Sequence, residues 1–457
     1  MTKSISTSSI ATKGHAGYGD ILRIAWPIIL ANAAIPLLGL VDTAVVGNLG
    51  DPIYLGAVAI GATIFNFIYW GFGFLRMATT GLTAQAVGAN NTTEIDATLF
   101  RAILAGAGLG AAFLILQWPI GMAALYVIGG SDTVQELAWG YFTIRIWGAP
   151  AMFATMAILG WFIGQEKTRL VLIIQLVLNG FNIALDLWFV VGLGWAANGV
   201  AAATVIAEWI AFLLAVFLVW RLRRQQHGTS SRTRLPPWDQ VLEPAAVRRT
   251  LLVNSDVMIR SFCLVIGFTW FTAQGAKMGD IVLAANAVLM QFFFVSTYLV
   301  DGIAIAAETL VGKFKGAKDR FALRETARQS FVMGGVISCA MSALIFVFGL
   351  AGINALTNVA EVRDTAAIFL PYMILMPVIG VWCFVLDGIF IGATRTADMR
   401  NAMLVSILIY IGAWFALAPH YGNHGHWLAF LGFFAIRGLT LAILYPGLEK
   451  DVPVRQA

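Results

Sequence analysis

Charged residues are scarce in this 457-residue chain. Only 12% of its residues are Asp, Glu, Lys or Arg, whereas soluble globular domains carry about 25%. Hydrophobic residues make up 59%, and runs of about 20 apolar residues recur from Ile21 almost to Pro446. The composition leaves almost no room for a soluble domain. It predicts an all-α polytopic membrane protein with twelve transmembrane helices.

The chain also lacks the residue patterns of common active sites. Its three cysteines lie far apart in apolar runs, which predicts free thiols rather than a disulfide or metal framework. All five histidines fall in predicted tails or loops, and His424 and His426 have no Cys or acidic neighbour at metal-site spacing. No Walker motif is present. We therefore expect no enzymatic activity, no cofactor and no structural metal, and we expect an ion gradient to drive any transport.

The basic residues alternate between the two sides of the predicted spans. With a cytoplasmic N-terminus, 23 of the 29 Lys and Arg residues fall in inside segments, and two, Lys277 and Arg363, fall in outside loops. Because positive residues favour the cytoplasmic side, both termini are predicted to lie in the cytoplasm. The net charge of +5 therefore reflects topology and does not indicate nucleic-acid binding.

The two halves of the chain repeat each other at one constant offset. The sequence that ends at Gly88 resembles the one that ends at Gly316, and the turn at Gly164 resembles the turn at Gly392, which lies equally far along the chain. We call this separation the repeat offset. Six spans per half return the chain to its starting side, which predicts two six-helix bundles related by a pseudo-two-fold axis along the membrane normal. The predicted order is a tail (1–19), a first bundle (20–222), a linker (223–247), a second bundle (248–447) and a tail (448–457).

Acidic side chains inside the spans of the first half are candidate ion-binding groups, because a buried charge in a membrane is costly unless it is neutralised. Asp42 and Asp186 have no acidic counterpart at the repeat offset. A polar stripe at helical spacing accompanies the second of them: Gln175, Asn179, Asn182 and Asp186. Such a stripe can hold a proton or a transient sodium ion, or it can join helices by hydrogen bonds.

Two prolines, Pro27 and Pro36, precede Asp42 and predict a bend in the first helix. The bend is either static or coupled to the charge of Asp42.

The second half contains a different set of charged residues. Asp256 and Arg260 are four residues apart and are expected to pair on one helix face. Three further acids either form a second ion site or do not, and aromatic side chains either line a cavity for organic cations or pack against lipid. The predicted substrate cavity comprises Phe65, Trp70, Phe292, Asp301, Glu308 and Asp387.

Three stretches carry a family resemblance: Asp42–Gly50, Thr83–Gly88 and Asp387–Arg395. They resemble the multidrug and toxic compound extrusion family, in particular its DNA-damage-inducible-F type, and the likeness extends from about Gly19 to Leu448. The resemblance implies a monomeric two-lobed antiporter in the lipid bilayer that exports organic cations or other small amphiphiles in exchange for H⁺ or Na⁺ by rocking between two orientations.

The resemblance also implies an ion-coupling network, to which the polar stripe adds Asn179. The network comprises Asp42, Asp186, Asn182, Asn179, Tyr141 and Thr204. Leu159 or its neighbours stand where the family leads us to expect an amide, and Asp256 does not match the acid of a sister subfamily. A flippase for lipid-linked precursors, from the same superfamily, is the alternative transport function. A structural or signalling membrane protein would need no buried carboxylates.

Overall fold

The computed structural model describes residues 16–47, 52–227 and 236–453. Within these ranges the side chains of residues 35–44, 46, 47, 52, 226 and 227 are not described, so the side chain of Asp42 lies outside the described part. The described chain is helical and contains no β-strand. Its helices are α1 Tyr18–Gly47, α2 Pro52–Gly71, α3 Phe74–Gly88, α4 Thr92–Ile115, α5 Gln117–Ile128, α6 Asp132–Arg145, α7 Ala149–Gly164, α8 Thr168–Asp186, α9 Ala196–His227, α10 Trp238–Val241, α11 Pro244–Ala276, α12 Asp280–Gly316, α13 Arg320–Leu356, α14 Ala360–Gly392 and α15 Thr396–Lys450.

The described helices supply twelve membrane spans. Ten helical segments are long and apolar enough to cross a bilayer. One of them, α15, has 55 residues and contains Gly422 with φ of 55°, and this left-handed residue divides it into two spans. Helix α1, with 30 residues, exceeds the roughly 20 that a span needs and is the first of the twelve. The all-α polytopic fold predicted from the sequence is confirmed.

The repeat is visible in the helix boundaries. Helices α3 and α12 end at Gly88 and Gly316, and the ends of α7 and α14 are separated by the same repeat offset. The turns after α3 and α12 use Asn90 and Lys318, with φ of 54° and 56°. Left-handed residues also stand at the equivalent positions Gly194 and Gly422. The sequence repeat is therefore a repeat of helices and of the turns that join them.

The chain divides into two compact units that do not coincide with the two repeats. The first unit comprises the described residues of Met1–Ile29, Ala84–Asn90 and Ser255–Ala457, and the second comprises those of Leu30–Thr83 and Asn91–Asn254. Helices α1, α3 and α11 are each divided between the units. The boundaries at 20–222 and 248–447 describe the sequence repeat and stay a prediction.

Glycines allow close backbone packing in the first unit. A Cβ on Gly88 would lie 1.8 Å from the carbonyl oxygen of Lys313, and a Cβ on Gly316 would lie 2.0 Å from that of Gln85. The two contacts are equivalent under the repeat. Gln85 also donates from Nε2 to the carbonyl of Gly392 at 2.8 Å. The segment 84–90 is thus held by backbone contacts that no larger side chain would permit.

The core of the second unit joins α4 to α7. A Cβ on Gly106 would lie 2.8 Å from the carbonyl oxygen of Phe153, and the indole of Trp161 donates to the carbonyl of Ile95 at 2.9 Å.

The described part of the predicted linker also packs against the second unit. Val241 of α10 is 1% exposed, and Arg223 forms a buried ion pair with Asp96 at 2.8 Å. That part of the linker therefore has fixed structure.

Replacing Gly316 by Ala tests the close packing in the first unit. The added methyl group collides with backbone, so we expect a loss of about 1–3 kcal/mol in the free energy of unfolding, measured by thermal unfolding of the purified protein in detergent. Gly335→Ala is the matched control, because nothing lies within 4 Å of a Cβ there and alanine favours the helix. Equal stability of the two variants would contradict the assigned contact.

Candidate functional site

The polar stripe of α8 faces the interior of the second unit. Asn179 is 7% exposed, and Asn182 and Asp186 are 0% exposed. Gln175 donates from Nε2 to Oδ1 of Asn179 at 3.1 Å, and Asn179 donates from Nδ2 to the carbonyl of Ala34 on α1 at 3.3 Å. The stripe is therefore buried from Asn179 to Asp186 and partly exposed at Gln175, and it contacts the helix that carries Asp42.

Helix α9 fixes the orientation of the Asn182 amide. The hydroxyl of Thr204 donates to the carbonyl of Val200 at 2.8 Å, so it accepts from Nδ2 of Asn182 at 3.0 Å. The other end of the amide, Oδ1, is buried and accepts no hydrogen bond from any described group. A buried acceptor of this kind is costly unless a donor or a cation satisfies it. One helical turn further on lies the buried carboxylate of Asp186.

A π-helical turn, Leu187–Gly192, begins immediately after Asp186. Its repeat counterpart, residues 415–420, lies within the α-helical part of α15. Single π-helical turns are rare, and many occur at functional sites because the extra residue displaces the hydrogen-bond ladder. The first half thus combines an acid and a backbone irregularity that the second half lacks at the equivalent place.

Tyr141 of α6 is 4% exposed and occupies space left by Gly61. A Cβ on that glycine would lie 2.2 Å from Cδ1 of the tyrosine ring. The ring also lies 6.5 Å from that of Phe65. The roles of Tyr141 and Asp42 in ion coupling stay predictions.

A second charged group in this unit is an ion pair between two side chains of the chain itself. Arg145 donates from Nη1 and Nη2 to the two carboxylate oxygens of Glu208, at 2.8 and 2.7 Å. Its Nη1 also donates to the hydroxyl of Tyr69 at 3.1 Å, and its guanidinium lies 5.0 Å from the centre of the Phe65 ring. A Cβ on Gly148 would lie 1.9 Å from Oε2 of Glu208, so the pair needs glycine there.

The three aromatic residues predicted to line a cavity have different surroundings in the structure. Phe65 is 2% exposed and lies beneath Arg145, whereas Trp70 is 52% exposed. Phe292, in the other unit, packs against Gly352, where a Cβ would lie 2.8 Å from Cζ of its ring. The structure therefore assigns different surroundings to each of the three.

The second half pairs its acids differently from the prediction. Asp387 binds the guanidinium groups of Arg260 and of Arg437, the latter at 2.6 Å. Asp256 instead accepts from Arg400 at 2.6 Å and from Thr396 at 2.9 Å. The predicted Asp256–Arg260 pair was wrong. A buried carboxylate on another helix competes better for an arginine than an acid one turn away, and helical spacing alone does not reveal that competitor.

Asp387 is thus occupied by two guanidinium groups. Asp387, Arg260 and Arg437 are 4%, 6% and 2% exposed. Arg437 also lies 5.9 Å from the ring of Phe384, which borders a small pocket together with residues such as Phe293, Ser296 and Thr297.

The other two acids of the predicted substrate cavity differ in exposure. Glu308 is 2% exposed, and Asp301 is partly exposed. The predicted cavity roles of these acids stay predictions.

His420, His424 and His426 lie in helix α15 and not in the predicted loop. His426 was assigned to a loop, but it is 0% exposed in the helical segment that follows Gly422. Its Nδ1 accepts from the indole of Trp414 at 2.9 Å, and its ring stacks on Phe271 at 4.1 Å. Within the described ranges no three His, Cys, Asp or Glu side chains form a potential metal cluster.

Comparison with known proteins identifies the family. The MatE family model matches residues 27–188 and 257–414. The chain is 40% identical over 427 residues to the DNA damage-inducible protein F of Escherichia coli strain K12, covering 93% of this chain and 91% of that protein. It is 23% identical to a probable multidrug resistance protein NorM of Acinetobacter baylyi, covering 93% of each chain.

A solved structure agrees. The outward-facing conformation of a multidrug resistance MATE family transporter superposes with a TM-score of 0.84 at 18% identity, covering 95% of this chain and 97% of that chain. The repeated helices and the buried polar groups define a multi-pass membrane transporter. The chain belongs to the MatE family, and its resemblance to the DNA-damage-inducible-F type is confirmed.

Replacing Glu208 by Gln leaves the buried Arg145 without a counter-charge. We expect the free energy of unfolding to fall by about 3–5 kcal/mol, measured by thermal or denaturant unfolding in detergent. Glu325→Gln is the control, because its partner Arg328 has a side chain that is 71% exposed, and an exposed pair contributes only about 0–1 kcal/mol. Similar losses in both variants would argue against the assigned burial.

Proposed function

We propose that this protein exports amphiphilic organic cations in exchange for H⁺ or Na⁺, and that the coupling ion binds at the buried polar face of α8. The observation that carries the proposal is the carbonyl oxygen of Asn182, which is fixed by Thr204 and lacks a donor. One turn away lies a fully buried carboxylate. Oxygen atoms in this arrangement suit a small hard cation or a proton shared with the carboxylate.

The chemical roles follow from the geometry. Asp186 carries the negative charge that the ion neutralises, Asn182 supplies a neutral oxygen, and Thr204 holds the amide in that orientation. Asn179 connects the face to the backbone of α1, so that binding at α8 is transmitted to the helix that carries Asp42. Alternating exposure of the loaded and empty site to the two sides of the membrane would then drive export.

The names of the relatives support the choice of substrate. The relative from Acinetobacter baylyi and the solved transporter both carry multidrug resistance in their names. The substrates proposed for this chain are organic cations, and no cofactor other than the coupling ion is required. We place the protein as a monomer in the bacterial inner membrane with both termini in the cytoplasm, following its distribution of Lys and Arg.

The alternative, a flippase for lipid-linked precursors, calls for a basic cavity that binds the precursor's phosphates. The buried guanidinium groups of the second half, Arg260 and Arg437, are instead bound to Asp387. Export of an organic cation is therefore the function that we favour.

Asp186→Asn tests the site directly. In proteoliposomes with an imposed ion gradient we expect efflux of a cationic dye to fall about ten-fold or more, because the neutral amide no longer needs a counter-ion. Asp132→Asn serves as control, because Asp132 lies exposed in the first turn of α6. Gradient-driven efflux at the unmodified rate in the Asp186 variant would remove this residue from the mechanism.

The same assay identifies the ion and tests Asp42. Efflux driven by a sodium gradient is compared with efflux driven by a pH gradient, in the unmodified protein and in Asp42→Asn. We expect one of the two gradients to drive export and the variant to lose that dependence. Full gradient-driven efflux by Asp42→Asn would exclude Asp42 from coupling.

Thr204→Val tests the positioning of Asn182. Valine cannot accept from the amide, so Asn182 loses its fixed orientation. We expect the concentration of coupling ion needed for half-maximal efflux to rise about five- to ten-fold, in line with the loss of a buried hydrogen bond. Thr204→Ser retains the hydroxyl and should restore the original ion dependence. Failure of serine to do so, with normal expression, would indicate that Thr204 serves packing only.

A further inference from the structure

The cytoplasmic ends of α12 and α13 carry an excess of positive charge that the first half lacks. Six basic residues fall between positions 313 and 328: Lys313, Lys315, Lys318, Arg320, Arg324 and Arg328. The residues one repeat offset earlier are Gln85, Val87, Asn90, Thr92, Asp96 and Phe100, and none is basic. Both halves are predicted to have the same orientation, so the positive-inside rule accounts for basic residues on this side but not for the difference between the two halves.

The exposed basic residues of α13 lie along one outward-facing side of the helix. Phe321, Arg324 and Arg328 are exposed at spacings of three and four residues, and the same stripe continues to Val332 and Val336. The side chains of Arg324 and Arg328 are 75% and 71% exposed. We call the stripe formed by Phe321, Arg324, Arg328, Val332 and Val336 the arginine face. The part formed by Val332 and Val336 is apolar and exposed, as expected of residues that contact acyl chains.

The length of α13 places the two arginines beside the headgroups. Its 37 residues span about 55 Å at 1.5 Å per residue, whereas the hydrocarbon core is about 30 Å thick. With the apolar residues from Val332 onward in the core, the guanidinium groups of Arg324 and Arg328 lie at the cytoplasmic headgroup level.

Nearby acids neutralise only part of this charge. Asp319 caps α13 by accepting from the backbone of Ala322 at 2.9 Å. Glu325 pairs with Arg328 at 3.0 Å, and Glu449 lies 3.7 Å from Nε of Arg324, beyond hydrogen-bond distance. Lys318 and Arg324 are not hydrogen-bonded to any of these three acids, and Arg324 retains its guanidinium donors for a further partner.

We propose that the arginine face binds an anionic phospholipid of the cytoplasmic leaflet. Arg324, with the exposed Lys318, binds the headgroup phosphate. Arg328, whose Nε and Nη2 bind Glu325, contributes its Nη1 donors, and the acyl chains lie along Val332 and Val336. Guanidinium groups match phosphate oxygens with paired hydrogen bonds, and clusters of basic residues just cytoplasmic of a membrane helix attract anionic headgroups. The binding does not depend on the proposed antiport.

The test is a lipid titration of the purified full chain followed by native mass spectrometry. The probes are phosphatidylglycerol, phosphatidylcholine with the same acyl chains, and inorganic phosphate. We expect the unmodified protein to bind phosphatidylglycerol in preference to phosphatidylcholine. The double variant Arg324→Gln/Arg328→Gln should bind phosphatidylglycerol about ten- to thirty-fold more weakly, with thermal stability unchanged because both side chains are exposed.

Arg221→Gln/Arg224→Gln is the matched control. It also removes two exposed positive charges from a cytoplasmic helix end, and it should retain phosphatidylglycerol binding within about two-fold, since those residues lie on the other half. The proposal is overturned if the two double variants lose binding equally, if the arginine-face variant retains full affinity, or if the unmodified protein does not distinguish the two lipids. Competition by millimolar inorganic phosphate would also overturn it, by showing a site for free anions.

Discussion

A charge inside a lipid bilayer requires a counter-charge, and this requirement governs the arrangement of the polar side chains in this protein. Arg145 and Glu208 neutralise each other through two hydrogen bonds, and Asp387 is neutralised by two arginines. Arg145, Glu208 and the carboxylate of Asp387 thus have their counter-charges within the chain itself. At Asn182 the helices instead fix a buried oxygen that no described donor satisfies, beside the buried acid Asp186. In our account a travelling ion binds at this oxygen and at Asp186 for part of the transport cycle.

The repeat provides a helical framework that the two halves use differently. Helix ends and left-handed turns recur at the repeat offset, which shows that the framework is shared. The acid of α8, the π-helical turn after it and the oriented amide belong to the first half only. The paired arginines around Asp387 and the basic cytoplasmic surface belong to the second. Duplication thus supplies two similar bundles, and the few polar residues that differ between them carry the specialised chemistry.

The fold was largely predictable because hydrophobic length, the placement of Lys and Arg and the repeat all depend on local sequence. The polar face of α8 was predictable for the same reason, since helical spacing alone aligns Gln175 with Asp186. Pairing across helices was not. Arg145 and Glu208 are 63 residues apart. Arg260 pairs with Asp387 and not with Asp256, its neighbour on α11. His426 is buried because the helix resumes after Gly422. Such contacts depend on helix rotation and depth, which local periodicity does not specify.

The central claim is that the carboxylate of Asp186 exchanges a transported cation. Infrared difference spectra of the purified protein, recorded as pH is lowered and separately as sodium is added, measure this exchange directly. The account predicts that one of the two titrations changes a carboxyl stretching band and that Asp186→Asn abolishes the change. Spectra in which neither titration alters a carboxyl band, or in which the band persists in Asp186→Asn, would contradict it.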